Sequence, residues 1–217
     1  MNVWKVALTS ITLALSANVN AVIISSDWQL AGDNLITQDT DSGLEWLDLT
    51  VTSNMSYNDV SAQLGAGGDY EGWRYATRVE IASLWDAFGG DSTFYYGLSS
   101  HNNGLFDLMA PYIGDLYCLS NGCSTGEGES WFITGDYFLN YTNQVYVSVA
   151  NDRATHSFSL TEDLLDLNRN AYSLDYTFEY AGSALVREIS TVPVPAAVWL
   201  FGSGLIGLVG MARRKKA

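Results

Sequence analysis

The sequence predicts a mixed α+β domain, with helices and a small antiparallel sheet segregated along the chain and an apolar segment at each end. Three observations predict it. Two stretches in the first half carry helix-start signals followed by apolar residues at helical spacing. Short runs rich in β-branched and aromatic residues then dominate the second half. The apolar ends differ in length and in the charges beside them, and so have different jobs.

Met1 to Lys5 carries one cation, Val6 to Ala17 is apolar and small, and Val19-Asn20-Ala21 places small residues three and one before a cut. This is the pattern of a secretory signal peptide cleaved after Ala21, which engages the secretion machinery. The apolar run is too short to read as a membrane span.

Val22 to Ser26 and Leu35 to Gln38 read as strands, and Leu44-Glu45-Trp46-Leu47 alternates as a half-buried strand does. Ser56, with Asp59 three residues on, starts a helix holding Tyr57, Val60 and Leu64, closed by Gly65 and Gly67-Gly68. Thr77 and Glu80 form a second capping box. Ile81, Leu84, Trp85 and Phe88 follow it at helical spacing, and Gly89-Gly90 stops the helix. Beyond that the chain reads as loops and short strands: 131–134, 144–149, 156–160, 174–178 and 184–187.

Residues 22–191 form one domain by length. They hold all 24 acidic residues against five arginines (Arg74, Arg78, Arg153, Arg169, Arg187), a formal charge of −19, with no lysine. Such a surface repels nucleic acid, which is excluded as a partner. Cys118 and Cys123, in CLSNGC, match neither a C-x-x-C redox motif nor half of a four-ligand zinc site. An oxidising compartment favours a small local disulfide between them, with free thiols as the alternative.

The tail has three parts: Val192-Pro193-Val194-Pro195-Ala196-Ala197, an apolar run of seventeen residues over 196–212, and the cluster Arg213, Arg214, Lys215, Lys216. As a helix the run rises about 26 Å, near the short limit for a bilayer span, and the cations stop transfer on the cytoplasmic side. Within it, Gly202-Ser203-Gly204-Leu205-Ile206-Gly207 matches G-x-G-x-x-G, but no acidic residue follows and no dinucleotide is expected. Small residues there serve close helix approach instead.

This tail resembles the PEP-CTERM sorting signal of exopolysaccharide-producing Gram-negative bacteria, in the variant form Val-Pro-x-Pro-Ala, with Val194 where Glu is usual. The resemblance implies transient anchoring in the inner membrane. Processing by an exosortase-type transpeptidase near the Pro motif then follows, with release to the cell surface or extracellular matrix.

The domain carries a second resemblance. Gly43-Leu44-Glu45-Trp46, then Gly72-Trp73-Arg74-Tyr75-Ala76-Thr77 with Glu80, and a closing Val186-Arg187 follow a recurring order. They are similar to the Lcl C-terminal domain family of exported bacterial proteins, with Tyr75-Ala76 in place of Leu-Pro. That resemblance implies a C-type-lectin-like fold of two helices, a small sheet closed by both chain ends, and long loops. Packing and capping explain the motif residues: Trp46 and Trp73 anchor a core, Thr77 caps, and Arg74 and Arg187 pair internally or stack, with a carboxylate ligand on Arg74 as the alternative.

No catalytic signature emerges. H-E-x-x-H, G-x-S-x-G and P-loop motifs are absent, and His101 and His156 stand isolated. No cofactor is expected. Asp39-Thr40-Asp41-Ser42-Gly43 opens like a calcium loop, but Thr50 stands where the bidentate Glu belongs. Calcium on Glu127, Glu129 and Asp136 is the alternative to a plain exposed acidic loop.

Tyr95, Tyr96, Trp131, Phe132, Tyr137, Phe138, Tyr141 and Tyr146 either fill a small core or, in part, stack on sugar rings; Tyr95, Tyr96 and Tyr141 are the candidate contacts. The expected function is that of an exported, non-catalytic component of the exopolysaccharide matrix, binding polysaccharide or a surface protein. The alternatives are an extracytoplasmic polysaccharide hydrolase and a permanently membrane-anchored envelope protein.

Overall fold

The computed structural model describes residues 22–93, 102, 104–121, 127–137, 144–153 and 164–190. Among the described residues two small sheets and four helices form an α+β structure. The first sheet contains β1 (Ile23–Ser26), β2 (Ile36–Asp39), β3 (Leu44–Leu47), β4 (Arg74–Tyr75) and β9 (Leu185–Glu188), in the order β1-β2-β3-β9-β4, and every neighbouring pair is antiparallel. The second contains β5 (Glu127–Tyr137), β6 (Gln144–Arg153), β7 (Leu164–Ser173) and β8 (Ala181–Ser183), in the order β7-β6-β5-β8. Its one departure from antiparallel pairing is β5 with β8.

The sheets meet at Ala184. This residue separates β8 from β9, so the chain crosses from one sheet into the other in a single step. Its N–H donates to the Ile133 carbonyl (3.0 Å) and its carbonyl accepts from the Ala76 N–H (2.7 Å). The Ala76 carbonyl in turn accepts from the Gly135 N–H (2.8 Å). A larger side chain than the buried Ala184 methyl would push the sheets apart.

Both expected caps are present. Ser56 and Asp59 close a capping box on α1 (Tyr57–Ser61), which ends sooner than the apolar spacing through Leu64 indicated. Thr77 and Glu80 close another on α2 (Arg78–Ala87). The expected pair of helices becomes four, because α3 (Leu105–Ile113) and α4 (Leu116–Asn121) lie where loops were read. Leu105, Phe106, Met109 and Ile113 form the buried face of α3 despite Pro111 within it.

Two strand expectations need correction. Residues 174–178 are turn and irregular backbone, and the strand there is β7, which ends at Ser173. Leu44–Leu47 is buried on both faces, not one, because Glu45 lies beneath Arg187. The link from β1 to β2 is organised by Asp33, whose carboxylate accepts from the backbone N–H groups of Trp28, Gln29, Leu30 and Leu35. These bonds, that to Leu30 foremost, hold its carboxyl down at about 2.

Alternation along β3 and β9 feeds two cores. Leu44, Trp46 and Val186 join Ile81, Leu84, Trp85, Phe106, Met109 and Leu116 on one side. Leu47 and Leu185 join Val60, Trp73, Tyr75, Val145 and Val147 on the other. A 3₁₀ turn, Leu49–Thr52, seals the junction against β8: Ser183 N–H donates to Thr52 Oγ1 (2.7 Å). There a Cβ on Gly182 would collide with the Leu49 carbonyl. Gly182→Ala is therefore expected to destabilise the protein by about 1–3 kcal/mol. Urea unfolding checks it, and an unchanged midpoint would contradict this packing.

Candidate functional site

The residues singled out by the domain motifs converge where β3, β9 and β4 lie side by side. Arg187 Nε donates to Glu45 Oε2 (2.6 Å), and the guanidinium lies 4.4 Å from the centre of the Trp73 ring. Arg74 grips Glu80 with both terminal nitrogens, Nη2 to Oε1 at 2.6 Å and Nη1 to Oε2 at 3.0 Å. Glu80 Oε2 also accepts from Thr77 N–H (2.8 Å), while Thr77 Oγ1 accepts from Glu80 N–H (3.2 Å). The hydrogen bonds from Arg74, more than those from Thr77, hold the Glu80 carboxyl below the usual carboxylate range.

Trp46 is buried opposite Val186 in the antiparallel pair, with Leu44 two residues before it. Gly43 (φ +71°) and Gly72 (φ +85°) lie in the left-handed region, which explains glycine at these two motif positions. Capping, pairing and packing thus occupy the motif residues Gly43, Leu44, Trp46, Gly72, Trp73, Arg74, Thr77, Glu80 and Arg187.

The acidic candidates have protein partners. Asp39 accepts from Asp41 N–H, Ser42 N–H and Ser42 Oγ, closing the β2–β3 turn that resembled a calcium loop. Glu129 accepts from the Trp131 indole N–H. Asp136 accepts from the Arg78 backbone N–H (2.7 Å) and Nε (3.4 Å). Among the described residues no group of three His, Cys, Asp or Glu is arranged to hold a metal ion. The Glu127 side chain lies outside the described residues.

Two further carboxylates sit in polar turns. Burial pushes the Asp48 carboxyl up, against the opposing effect of the Thr50 hydroxyl and N–H that donate to it. Burial also pushes the Asp115 carboxyl up; Oδ1 accepts from Cys118 N–H (3.0 Å) and Glu129 N–H (3.2 Å). For Asp48 the folded value lies above the unfolded one. Its stabilising contribution is complete below the ordinary value of 3.8 and is lost as pH rises through the folded value. The stability of Asp48→Asn relative to the parent is therefore expected to rise over that pH window. Thermal unfolding across pH checks this, and a flat or falling difference would contradict it.

Cys118, on α4, is disulfide-bonded; Cys123 lies outside the described residues. So do Ala21, His101, His156, Tyr95, Tyr96, Phe138 and Tyr141. The tail lies outside them too: Val192, Pro193, Pro195, Ala196, Ala197, the expected span 196–212, and Arg213, Arg214, Lys215 and Lys216. Among the described residues no helix is long and apolar enough to cross a membrane.

Of the aromatics expected to divide between core and surface, Phe132 and Tyr146 are buried, Trp131 is half-buried and Tyr137 is exposed. A larger aromatic array was missed. Tyr172 at the end of β7, and Tyr176, Phe178 and Tyr180 on the irregular strap that follows it, form an array that continues through Trp131 and Tyr117. Centroid separations are 4.3 Å for Tyr172–Tyr176, 5.8 Å for Trp131–Tyr172, 4.7 Å for Trp131–Phe178, 4.8 Å for Phe178–Tyr180 and 5.1 Å for Tyr117–Tyr180. The every-second-residue spacing of Tyr176, Phe178 and Tyr180 was the available signal, but it reads equally as a strand. The space enclosed beneath the strap is about 10 Å³, room for one water molecule at most.

Open hollows also lie on the surface of the described residues. One of about 520 Å³ is lined by Thr40, Ser42, Gly43, Leu44, Glu188 and Ile189. Another of about 490 Å³ lies beside α2, between Arg78, Val79, Ser92, Thr93 and Asp136. Fold and site together define a class no finer than an α+β domain, with two small sheets and four helices among the described residues. No protein-family model, curated protein or solved structure matches the chain.

Proposed function

We propose that the protein is exported across the inner membrane of a Gram-negative bacterium and held there by its tail. An exosortase-type transpeptidase then processes it, and it serves at the cell surface or in the extracellular matrix as a non-catalytic binding component. The observation that carries this reading is the position of the domain's two ends. Val22, which follows the expected cut, donates to Thr40 Oγ1 (3.0 Å), and its carbonyl accepts from the Thr40 N–H (3.3 Å). Ile189 N–H donates to the Gly43 carbonyl (2.9 Å). Thr40 and Gly43 bound the same turn, so both ends leave the domain at one pole.

A domain with both ends at one pole can hang from a membrane by either segment, with its remaining surface turned outward. Six residues lie between Ile189 and Ala196, a reach of at most about 25 Å over the seven steps. The formal charge of −19 keeps such a domain off an anionic lipid surface despite this short tether. The lectin-like reading draws support from β9, at the end of the domain, which inserts between β3 and β4 in the first sheet, and from the capped helix that follows β4.

Fractionation of cells producing the full chain or a chain ending at Ser190 tests the proposal. The full chain is expected in the surface or matrix fraction, and the shortened chain free in the periplasm or medium. Identical partitioning of the two would overturn it.

A further inference from the structure

We infer that the aromatic strap is a docking platform for a cationic glycan, a chain of hexosamine sugars with free amino groups; this rests on the binding role proposed above. Three observations lead to that ligand. The rings of Tyr117, Tyr180, Phe178, Trp131, Tyr172 and Tyr176 run continuously, with neighbouring centroids 4.3–5.8 Å apart, and Tyr176 is 41% exposed. The space beneath them is only about 10 Å³, too small for the buried anchor residue on which protein partners rely. What it offers is ring surface, on which the apolar C–H faces of pyranose chairs and ammonium groups both sit favourably.

Charge then selects among glycans. Residues 171–181 carry two carboxylates, Asp175 and Glu179, both exposed, and no cation. Asn121, also exposed, donates to Tyr180 Oη (2.8 Å) at one end of the array. Asn58 donates to Asp175 Oδ1 (2.7 Å) near the other. A polyanionic glycan meets repulsion from this rim and from the whole domain, whereas an amino-bearing chain gains long-range attraction, cation–π contact and carboxylate partners.

Titration calorimetry on the full chain in detergent, below neutral pH where the sugar amines are charged, tests the inference. The probes are a glucosamine hexamer, the same hexamer fully N-acetylated, and a polyuronate. The glucosamine hexamer is expected to bind about tenfold more tightly than its acetylated form, and the polyuronate not at all. Raising salt from about 0.05 to about 0.5 M is expected to weaken binding, as screening requires.

Tyr176 lies outside both buried cores but stacks on Tyr172 at 4.3 Å, so Tyr176→Ala is expected to fold with an unfolding temperature a few degrees below the parent's and to lose about tenfold in affinity; Glu179→Gln is expected to lose less. Equal binding of the acetylated hexamer, binding of the polyuronate, or an unchanged affinity in Tyr176→Ala would each overturn the inference, as would no binding at all. The fractionation experiment is independent of all these results, so a failed titration alongside successful sorting removes the ligand and leaves the proposed function standing.

Discussion

Replacing Trp85 by Ala is expected to lower the stability of the protein by about 3–5 kcal/mol, the range for removing a large aromatic from a packed core. Trp85 is fully buried on α2, among Leu84, Leu105, Phe106 and Met109. Its ring lies so close to Gly90 that a Cβ there would overlap the indole. The void left by Ala is thus walled by two helices and the turn after α2. The indole N–H has no hydrogen-bond partner among the described residues, so Trp85→Phe sheds volume together with a buried polar group that stabilises nothing. It is expected to cost about 1–2 kcal/mol, well below the Ala variant. Denaturant unfolding of both variants is the measurement. An Ala variant within about 1 kcal/mol of the parent would contradict this core.

Arg187→Ala is the second large effect, expected at about 2–4 kcal/mol. The Glu45 side chain is 10% exposed, and its partner in β9 lies directly across the ladder. Removing the guanidinium leaves a carboxylate with Gln38 Nε2 (2.8 Å) as its remaining side-chain donor, and uncovers the Trp73 ring. Glu45 is the buried member, the Arg187 side chain being 35% exposed, and stranding a buried carboxylate costs more than the pair itself is worth. For that reason the double variant Glu45→Gln/Arg187→Ala is expected to recover most of the loss. A double-mutant cycle measures the coupling, and additive losses would show that the two side chains act independently.

The parts of the fold visible in the sequence were those set by neighbours in the chain. Ser56 with Asp59, and Thr77 with Glu80, are three residues apart, so both caps could be read before any tertiary contact was known. The first three strands were visible for a similar reason: each is short, β-rich and bounded by turn residues. The helices α3 and α4 were not, since Gly104, Pro111 and Gly114 punctuate them and masked the helical spacing of Leu105, Met109 and Ile113.

Long-range pairing was the other blind spot. Asp136 reaches Arg78 across 58 residues, and Glu45 reaches Arg187 across 142; in an acid-rich chain nothing local marks those two carboxylates out. The aromatic strap was misread because residues at every second position look like a strand whether or not a ladder partner exists.

The most direct test of the exported and sorted reading is the intact mass of the protein recovered from the surface or matrix of its native cell. A chain starting at Val22 and ending between Val192 and Ala197, with or without an added group, is the expected result. A chain running to Ala217 and found with the inner membrane alone would contradict it.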